Sequence, residues 1–259
     1  MAQTIMNWKD LARDGVTLLP STAPEFSATA AALIGNTSGE VASVLGYSVI
    51  LRNHTTLTIR GYALRWTFLV RNGNTANANY QIEQNFDPQQ SGVEILPGTA
   101  RVLSPFGIIH PTSLAVVSTT PRVPPGGLTQ LAQYASIAVS LDAVAFDNGK
   151  VIGPQEGFAV NVWQSMNKAL RDIGTATVEK ARHGSHEDLV SWLTAQAGQE
   201  EAHDVGATTY DRLAGSSHWY YVYAKMAAQR LLDFSKESDG ALLTEANRLS
   251  KIPVPTLTR

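Results

Sequence analysis

Residues 46–70 constrain the fold of this 259-residue chain most strongly, because two runs there alternate between apolar and polar side chains. The apolar positions are Tyr47, Val49 and Leu51 in the first run and Tyr62, Leu64, Trp66, Phe68 and Val70 in the second. A period of two predicts two β-strands, each with one buried face. Asn53, His54 and Thr55 form a polar turn between them, so the strands are expected either to pair directly or to pass from one sheet of a sandwich to the other.

A second strand pattern covers residues 134–146, which end in the turn sequence Asp147-Asn148-Gly149. One face of this strand is predicted to carry Ile137, Val139, Leu141, Ala143 and Ala145. The Asn-Gly step suits the positive φ angles of a hairpin turn, so Gly149 is expected to have a positive φ and residues 150–152 to return as a strand.

Weaker patterns complete the N-terminal part of the chain. Residues 7–13 suggest a short helix, Phe26–Ile34 an edge strand, and the asparagine-rich residues 71–81 a solvent loop. With about seven strands and no helix between them, residues 1–153 are predicted to form an antiparallel β-sandwich of immunoglobulin or fibronectin type III style, preceded by a short N-terminal arm.

After Gly153-Pro154 the apolar period changes to about 3.6, which predicts a C-terminal helical region of about four helices. They are expected at residues 155–181, from Ser185 onwards, at 217–236 and at 241–250. Ser185 is predicted to cap the second helix in a capping box with Asp188. Residues 154–259 are expected to dock on the sandwich, because their apolar stripes are few for an independent bundle, and to end in an extended tail.

The segments GYALRW (61–66) and SLDAVAFDNGKVIGP (140–154) resemble uncharacterised bacterial proteins in which an immunoglobulin-like sandwich precedes a helical segment. Because these segments are strand and turn patterns, the resemblance implies that fold and carries no activity over to this chain.

Composition limits the classes of function. The formal net charge of −2 lacks the basic excess that phosphate binding needs, so nucleic acid is not expected as a partner. No window approaches the roughly 18 apolar residues of a membrane span, and Asp10 and Asp14 interrupt the region where a signal peptide would have its apolar core. The chain as written is therefore expected to be soluble and without a signal peptide, its compartment unknown. The absence of cysteine excludes disulfides and thiolate sites.

Imidazoles and carboxylates occur at short spacing between His183 and Asp204, where His183, His186, Glu187 and His203 are candidate metal ligands. The pattern lacks HExxH order, and His183 lies before the cap of the second helix whereas His203 lies near the far end of that helix, roughly 25 Å away. Hydrophilic helix ends are therefore favoured over a metal site, and no cofactor is predicted.

The densest aromatic run places Trp219, Tyr220, Tyr221 and Tyr223 on one predicted helix. Aromatic side chains are enriched where partners bind, although core packing is the favoured interpretation of most of them. Since helical neighbours point in different directions, Tyr220 or Tyr221 is expected to lie against another element or a partner. Ser165 and Lys168 match an SxxK spacing, but an ordinary polar helix face is strongly favoured as its explanation.

Two hypotheses about function follow. The favoured one is a non-enzymatic binding or assembly module that contacts a protein partner or a second copy of itself. The alternative is a hydrolase or metal-dependent enzyme that uses the histidines and carboxylates between His183 and Asp204.

Overall fold

The computed structural model describes residues 4–35, 40–69, 75–86, 93–109, 116–117, 134–154, 158–199 and 216–257. Within these ranges the fold is mixed α+β, with two sheets that do not close and with the strands mostly in the N-terminal part. The chain divides into two compact units, which we call the sheet unit (residues 4–85 and 93–154) and the helical unit (residues 158–257). The domain boundary after Gly153 and the docking of the helices stay predictions.

The described residues of the sheet unit include two α-helices among the strands. In chain order its elements are β1 (Thr4–Lys9), a 3₁₀ turn (Ala12–Asp14), β2 (Val16–Pro20), α1 (Phe26–Ile34), α2 (Glu40–Leu45), β3 (Val49–Asn53), β4 (Ile59–Leu69), β5 (Thr75–Gln84), β6 (Ala100–Ser104), β7 (Gly107–Ile109), β8 (Val116–Val117), β9 (Ser136–Phe146) and β10 (Lys150–Ile152). One sheet has the order β10-β9-β4-β5, and the other has the order β2-β3-β6-β7-β8.

The first sheet is mixed, because β1 runs parallel to the first half of β9 whereas β10 and β4 run antiparallel to β9. The prediction of a purely antiparallel sandwich is therefore wrong for this sheet. An immunoglobulin-like arrangement is not confirmed, since helices α1 and α2 lie between strands and the sheets stay open.

Strands β3 and β4 belong to different sheets, so the connection at residues 53–55 passes from one sheet to the other. Asn53 holds this connection although it is buried. Its amide Nδ2 donates to the carbonyls of Leu57 at 2.8 Å and Ile95 at 2.9 Å, and its Oδ1 accepts from both the backbone N and the Oγ1 of Thr55. A buried amide that uses both its donor and its acceptor groups in this way fixes the turn between the two sheets.

The predicted inward face of β4 is confirmed, because Tyr62, Leu64, Trp66 and Phe68 are all buried. They share one apolar cluster with side chains of the other sheet, such as Leu18 of β2. For β3 the prediction of a single buried face is wrong, since Val49, Ile50 and Leu51 are all buried. The reason is that α1 and α2 cover the outer face of the second sheet and pack against Ile50.

Three local predictions in this unit are wrong. Phe26–Ile34 is a helix, since its four alanines favour that state and its buried residues Phe26, Ala30 and Ile34 recur every four positions. Residues 7–13 contain the end of β1 and the 3₁₀ turn in place of a helix. Most of the expected loop at 71–81 belongs to β5, whose backbone pairs with β4 despite its polar sequence.

A β-bulge at Asp142 changes the buried face of β9. Ala63 pairs with Ala143 and Leu64 pairs with Leu141, which leaves Asp142 as the extra residue. Beyond a bulge the alternation shifts by one position, so Val144 and Phe146 join the apolar cluster in place of Ala143 and Ala145. The hairpin that follows is confirmed, with a φ of 82° at Gly149.

The helical unit contains α3 (Ala159–His183), α4 (His186–Gly198), α5 (Ser216–Ser235), α6 (Asp239–Leu249) and the short strand β11 (Thr256–Leu257). The predicted capping box is confirmed, because Ser185 Oγ accepts from Asp188 N and the Asp188 carboxylate accepts from Ser185 N. In α5 the described buried residues are Ala227, Ala228 and Leu231, whereas Met226 is 48% exposed.

Helix α6 lies very close to α3 at Gly174. A Cβ atom at this position would lie 2.7 Å from the carbonyl oxygen of Ala246 and 2.7 Å from the backbone nitrogen of Ser250. No real side chain tolerates such distances to backbone atoms, so glycine permits this approach. Within the described ranges, no helix is both long and apolar enough to cross a membrane.

Candidate functional site

A groove of about 750 Å³ runs along the surface of the helical unit. Its walls come from α3, from the first turns of α5 and from the C-terminal tail, which we define as Ile252–Leu257. The lining residues are Asn161, Gln164, Ser165, Lys168, Ser217, Tyr220 and Val254. The groove thus joins hydroxyl, amide and ammonium groups, which can donate hydrogen bonds to another molecule, to one aromatic ring and one aliphatic side chain.

Tyr220 is the aromatic residue of this groove, and its ring is anchored at both ends. Its backbone belongs to α5, and its hydroxyl donates a hydrogen bond of 2.8 Å to the Asp172 carboxylate on α3. The Lys168 ammonium lies 5.2 Å from the centre of the ring and also pairs with Asp172. A half-exposed ring held in this way is a preorganised contact surface, because little side-chain entropy remains to be lost on binding.

Burial raises the pKa of Tyr220 to about 12, and the hydrogen bond and negative charge of Asp172 act in the same direction. The phenol therefore keeps its proton at neutral pH and acts as a hydrogen-bond donor. It is not a general base under these conditions.

Ser165 and Lys168, the residues of the SxxK spacing, both line the groove. An SxxK serine nucleophile needs a nearby amine that can accept its proton. In this chain the Lys168 ammonium forms an ion pair with Asp172 one helical turn further along, and it lies near the Tyr220 ring. These contacts suit a binding role for Lys168 better than a role as a base.

The other predicted aromatic residues lie outside the lining of this groove. The Trp219 and Tyr223 rings are 6.5 Å apart on one side of α5, and His218 lies edge-on to Trp219. The Tyr221 hydroxyl donates to the carbonyl of Gln199 at the end of α4. The expectation that Tyr220 or Tyr221 lies against another element is confirmed for both residues.

The candidate metal ligands occupy two helix ends. His183 is the last residue of α3, and His186 and Glu187 begin α4, all three with exposed side chains. His186 Nδ1 lies 2.6 Å from an Asp239 carboxylate oxygen. His203 lies outside the described residues. Among the residues that are described, no group of three or more histidine, aspartate or glutamate side chains is arranged to hold a metal ion.

A second cavity, of about 460 Å³, lies in the sheet unit beside the bulge at Asp142. The Asp142 side chain is only 2% exposed. Ser140 Oγ donates to its carboxylate at 2.9 Å, and Arg65 lies 3.9 Å from the same oxygen. Arg65 therefore compensates the buried charge, and the cluster has the character of a structural ion pair.

Sequence reasoning identified Tyr220 but missed the residues that make it part of a site. Asp172 was detectable, because it follows Lys168 at the i,i+4 spacing of a helical ion pair. Gln164 and Val254 were not, since they line one groove with Tyr220 only when α5 packs beside α3 and the tail lies along α3. No family model, curated protein or solved structure matches this chain.

Proposed function

We propose that this protein is a non-enzymatic binding module that contacts a protein partner through the groove beside Tyr220. The observation that carries the proposal is the anchored Tyr220 ring, which forms part of a groove of about 750 Å³. Tyrosine combines a large apolar area with few rotatable bonds and is enriched among the residues that dominate protein interfaces.

The state of the polar groups supports binding over catalysis. The groove contains a serine, a lysine and a tyrosine, but the lysine is paired with Asp172 and the tyrosine hydroxyl donates to the same carboxylate. Asn161, Ser165 and Ser217 add uncharged hydrogen-bonding groups along the walls. Such groups recognise peptide carbonyls and amides without chemical change.

The test is a selection from a random peptide library against the intact protein, followed by affinity measurements on variants. We expect the enriched peptides to bind Tyr220→Ala at least about tenfold more weakly than the wild type. Tyr221→Ala is the matched control, because it removes a neighbouring aromatic side chain that does not line the groove. Circular dichroism melts establish that both variants fold. Enriched peptides that bind folded Tyr220→Ala as well as the wild type, or a selection that enriches none, would contradict the proposal.

A further inference from the structure

The C-terminal tail shows what kind of chain the surface of α3 accepts. Gln164 Nε2 donates to the carbonyl of Pro255 at 2.9 Å, and Asn167 Nδ2 donates to the carbonyl of Pro253 at 2.9 Å. Gln164 precedes Asn167 in α3, but its partner Pro255 follows Pro253 in the tail. The tail therefore runs antiparallel to α3. Proline fixes φ and lacks an N–H, which makes recognition through carbonyl oxygens the natural mode for this sequence.

The groove shares residues with this surface. Val254, between the two prolines, forms one wall of the groove. Gln164 lines the groove and also donates the hydrogen bond that holds the tail at Pro255. Asn161 and Ser217 offer further hydrogen-bond donors to carbonyls, and Tyr220 supplies the aromatic surface. Aromatic rings beside hydrogen-bond donors are the usual receptor for polyproline II segments.

The charge of the groove lining limits the charge that a ligand can carry. Lys168 is the cation of the groove lining, and its charge is compensated by Asp172, which also accepts from Tyr220. The described lining of the groove therefore offers no net charge to attract an acidic or a basic peptide. It is complementary to an uncharged segment.

We infer that the groove binds an uncharged, extended, proline-containing segment of another protein. A proline ring packs against Tyr220, and backbone carbonyls accept hydrogen bonds from the amide and hydroxyl groups of the walls. This inference rests on the proposed function and names its ligand class.

The test is a calorimetric titration of the full chain with a short poly-L-proline peptide. A length-matched alanine and glycine peptide and a proline peptide with interspersed lysines serve as comparisons. We expect the uncharged proline peptide to bind at least about tenfold more tightly than either, and Tyr220→Ala to lose that preference. Tyr221→Ala should stay within about twofold of the wild type, since its side chain lies outside the groove.

The outcomes separate this inference from the proposed function. If the library selects Tyr220-dependent peptides that lack proline, and poly-L-proline does not bind, the inference is wrong while the proposed function stands. If no peptide depends on Tyr220, both are wrong. Sedimentation analysis gives the remaining outcome, because a dimer that Tyr220→Ala abolishes would make a second copy of this chain the occupant and overturn the inference.

Discussion

A polar network in the sheet unit and one in the helical unit differ in their exposure to solvent. In the sheet unit, Trp66 Nε1 donates to Gln81 Oε1 at 3.2 Å and Gln81 Nε2 donates to the Tyr62 hydroxyl at 2.9 Å, with all three side chains enclosed. In the helical unit, by contrast, the Asp172 carboxylate accepts from Lys168 and Tyr220 at a partly exposed surface. The first network is sealed from solvent and the second is accessible, which is why we place the binding role in the helical unit.

A tyrosine in each unit shows the same contrast. Burial raises the pKa of Tyr62 well above its ordinary value, and the nearby Glu83 charge raises it further. Tyr62 is fully enclosed, whereas Tyr220 is half-exposed and lines a groove. Two tyrosines with raised pKa values therefore have different roles, one in packing and one at a surface.

Trp66→Ala should have the largest effect, because it removes a fully buried indole from the cluster shared by both sheets. We expect a loss of about 3–5 kcal/mol in the free energy of unfolding, measured by urea denaturation of the intact protein. Trp66→Phe is the matched control, which retains most of the apolar volume and should lose less. A loss below about 1 kcal/mol for Trp66→Ala would show that this network contributes little to packing.

Glu245→Ala tests the charged cluster between α5 and α6. Glu245 is 3% exposed, and its Oε1 lies 2.6 Å from both Arg230 and Arg248. Removing it leaves two arginines without this carboxylate, and we expect the free energy of unfolding to fall by about 2–3 kcal/mol. The loss is limited because both arginines still reach solvent. Glu245→Gln, which keeps the shape and a carbonyl acceptor, should lose less. A Glu245→Gln variant as stable as the wild type would mean that the charge is unimportant.

Gly174→Ala should lower the free energy of unfolding by about 1–2 kcal/mol, although alanine is the better helix former. The added methyl group meets backbone atoms of α6 at 2.7 Å, so the two helices must separate. Gly198→Ala is the control, because a Cβ there has no heavy atom within 4 Å. If Gly174→Ala stabilises the protein in a thermal melt, the close approach of α3 and α6 is wrong.

Asp172→Asn should have the smallest effect on stability while changing the titration of Tyr220. Burial is the first cause of the raised pKa and remains in the variant, so the pKa should fall from about 12 only part of the way to its ordinary value. The measurement is ¹³C-tyrosine NMR, with Tyr220→Phe used to assign the signal. An unchanged pKa would exclude a contribution from the Asp172 contact.

The same pKa fixes the direction of the stability change with pH. Tyr220 in the folded protein keeps a proton that the unfolded chain releases near pH 10. Its contribution to folding stability is therefore complete below that pH. It is lost as the pH rises from about 10 to about 12. Between pH 10 and about 12, the free energy of unfolding should fall more steeply with pH in the wild type than in Tyr220→Phe.

Sequence patterns predicted elements whose environment differs between their two faces. The inward face of β4 followed from its alternation, and the start of α4 followed from Ser185 and Asp188. The bulge at Asp142 was not predictable, because its neighbours are apolar on both sides and the shift is seen only against the register of β4. Residues 75–81 of β5 were predicted as a loop because their asparagines have a low strand preference, which backbone pairing with β4 outweighs.

The candidate site was predictable only in part. The aromatic run identified Tyr220, and the spacing identified Ser165 and Lys168, but no local pattern indicated that they line one groove. That arrangement depends on the packing of α5 beside α3 and on the amide contacts that hold the tail. These are contacts between residues distant in the chain, which periodicity does not encode.

The most direct test of the central claim is ¹³C-tyrosine NMR of the intact protein during titration with a peptide selected from the library. The account predicts that the Tyr220 signal shifts progressively to saturation while the signal of Tyr62, enclosed in the sheet unit, stays in place. A shift at Tyr62 with no change at Tyr220 would contradict the account, because binding would then involve the sheet unit.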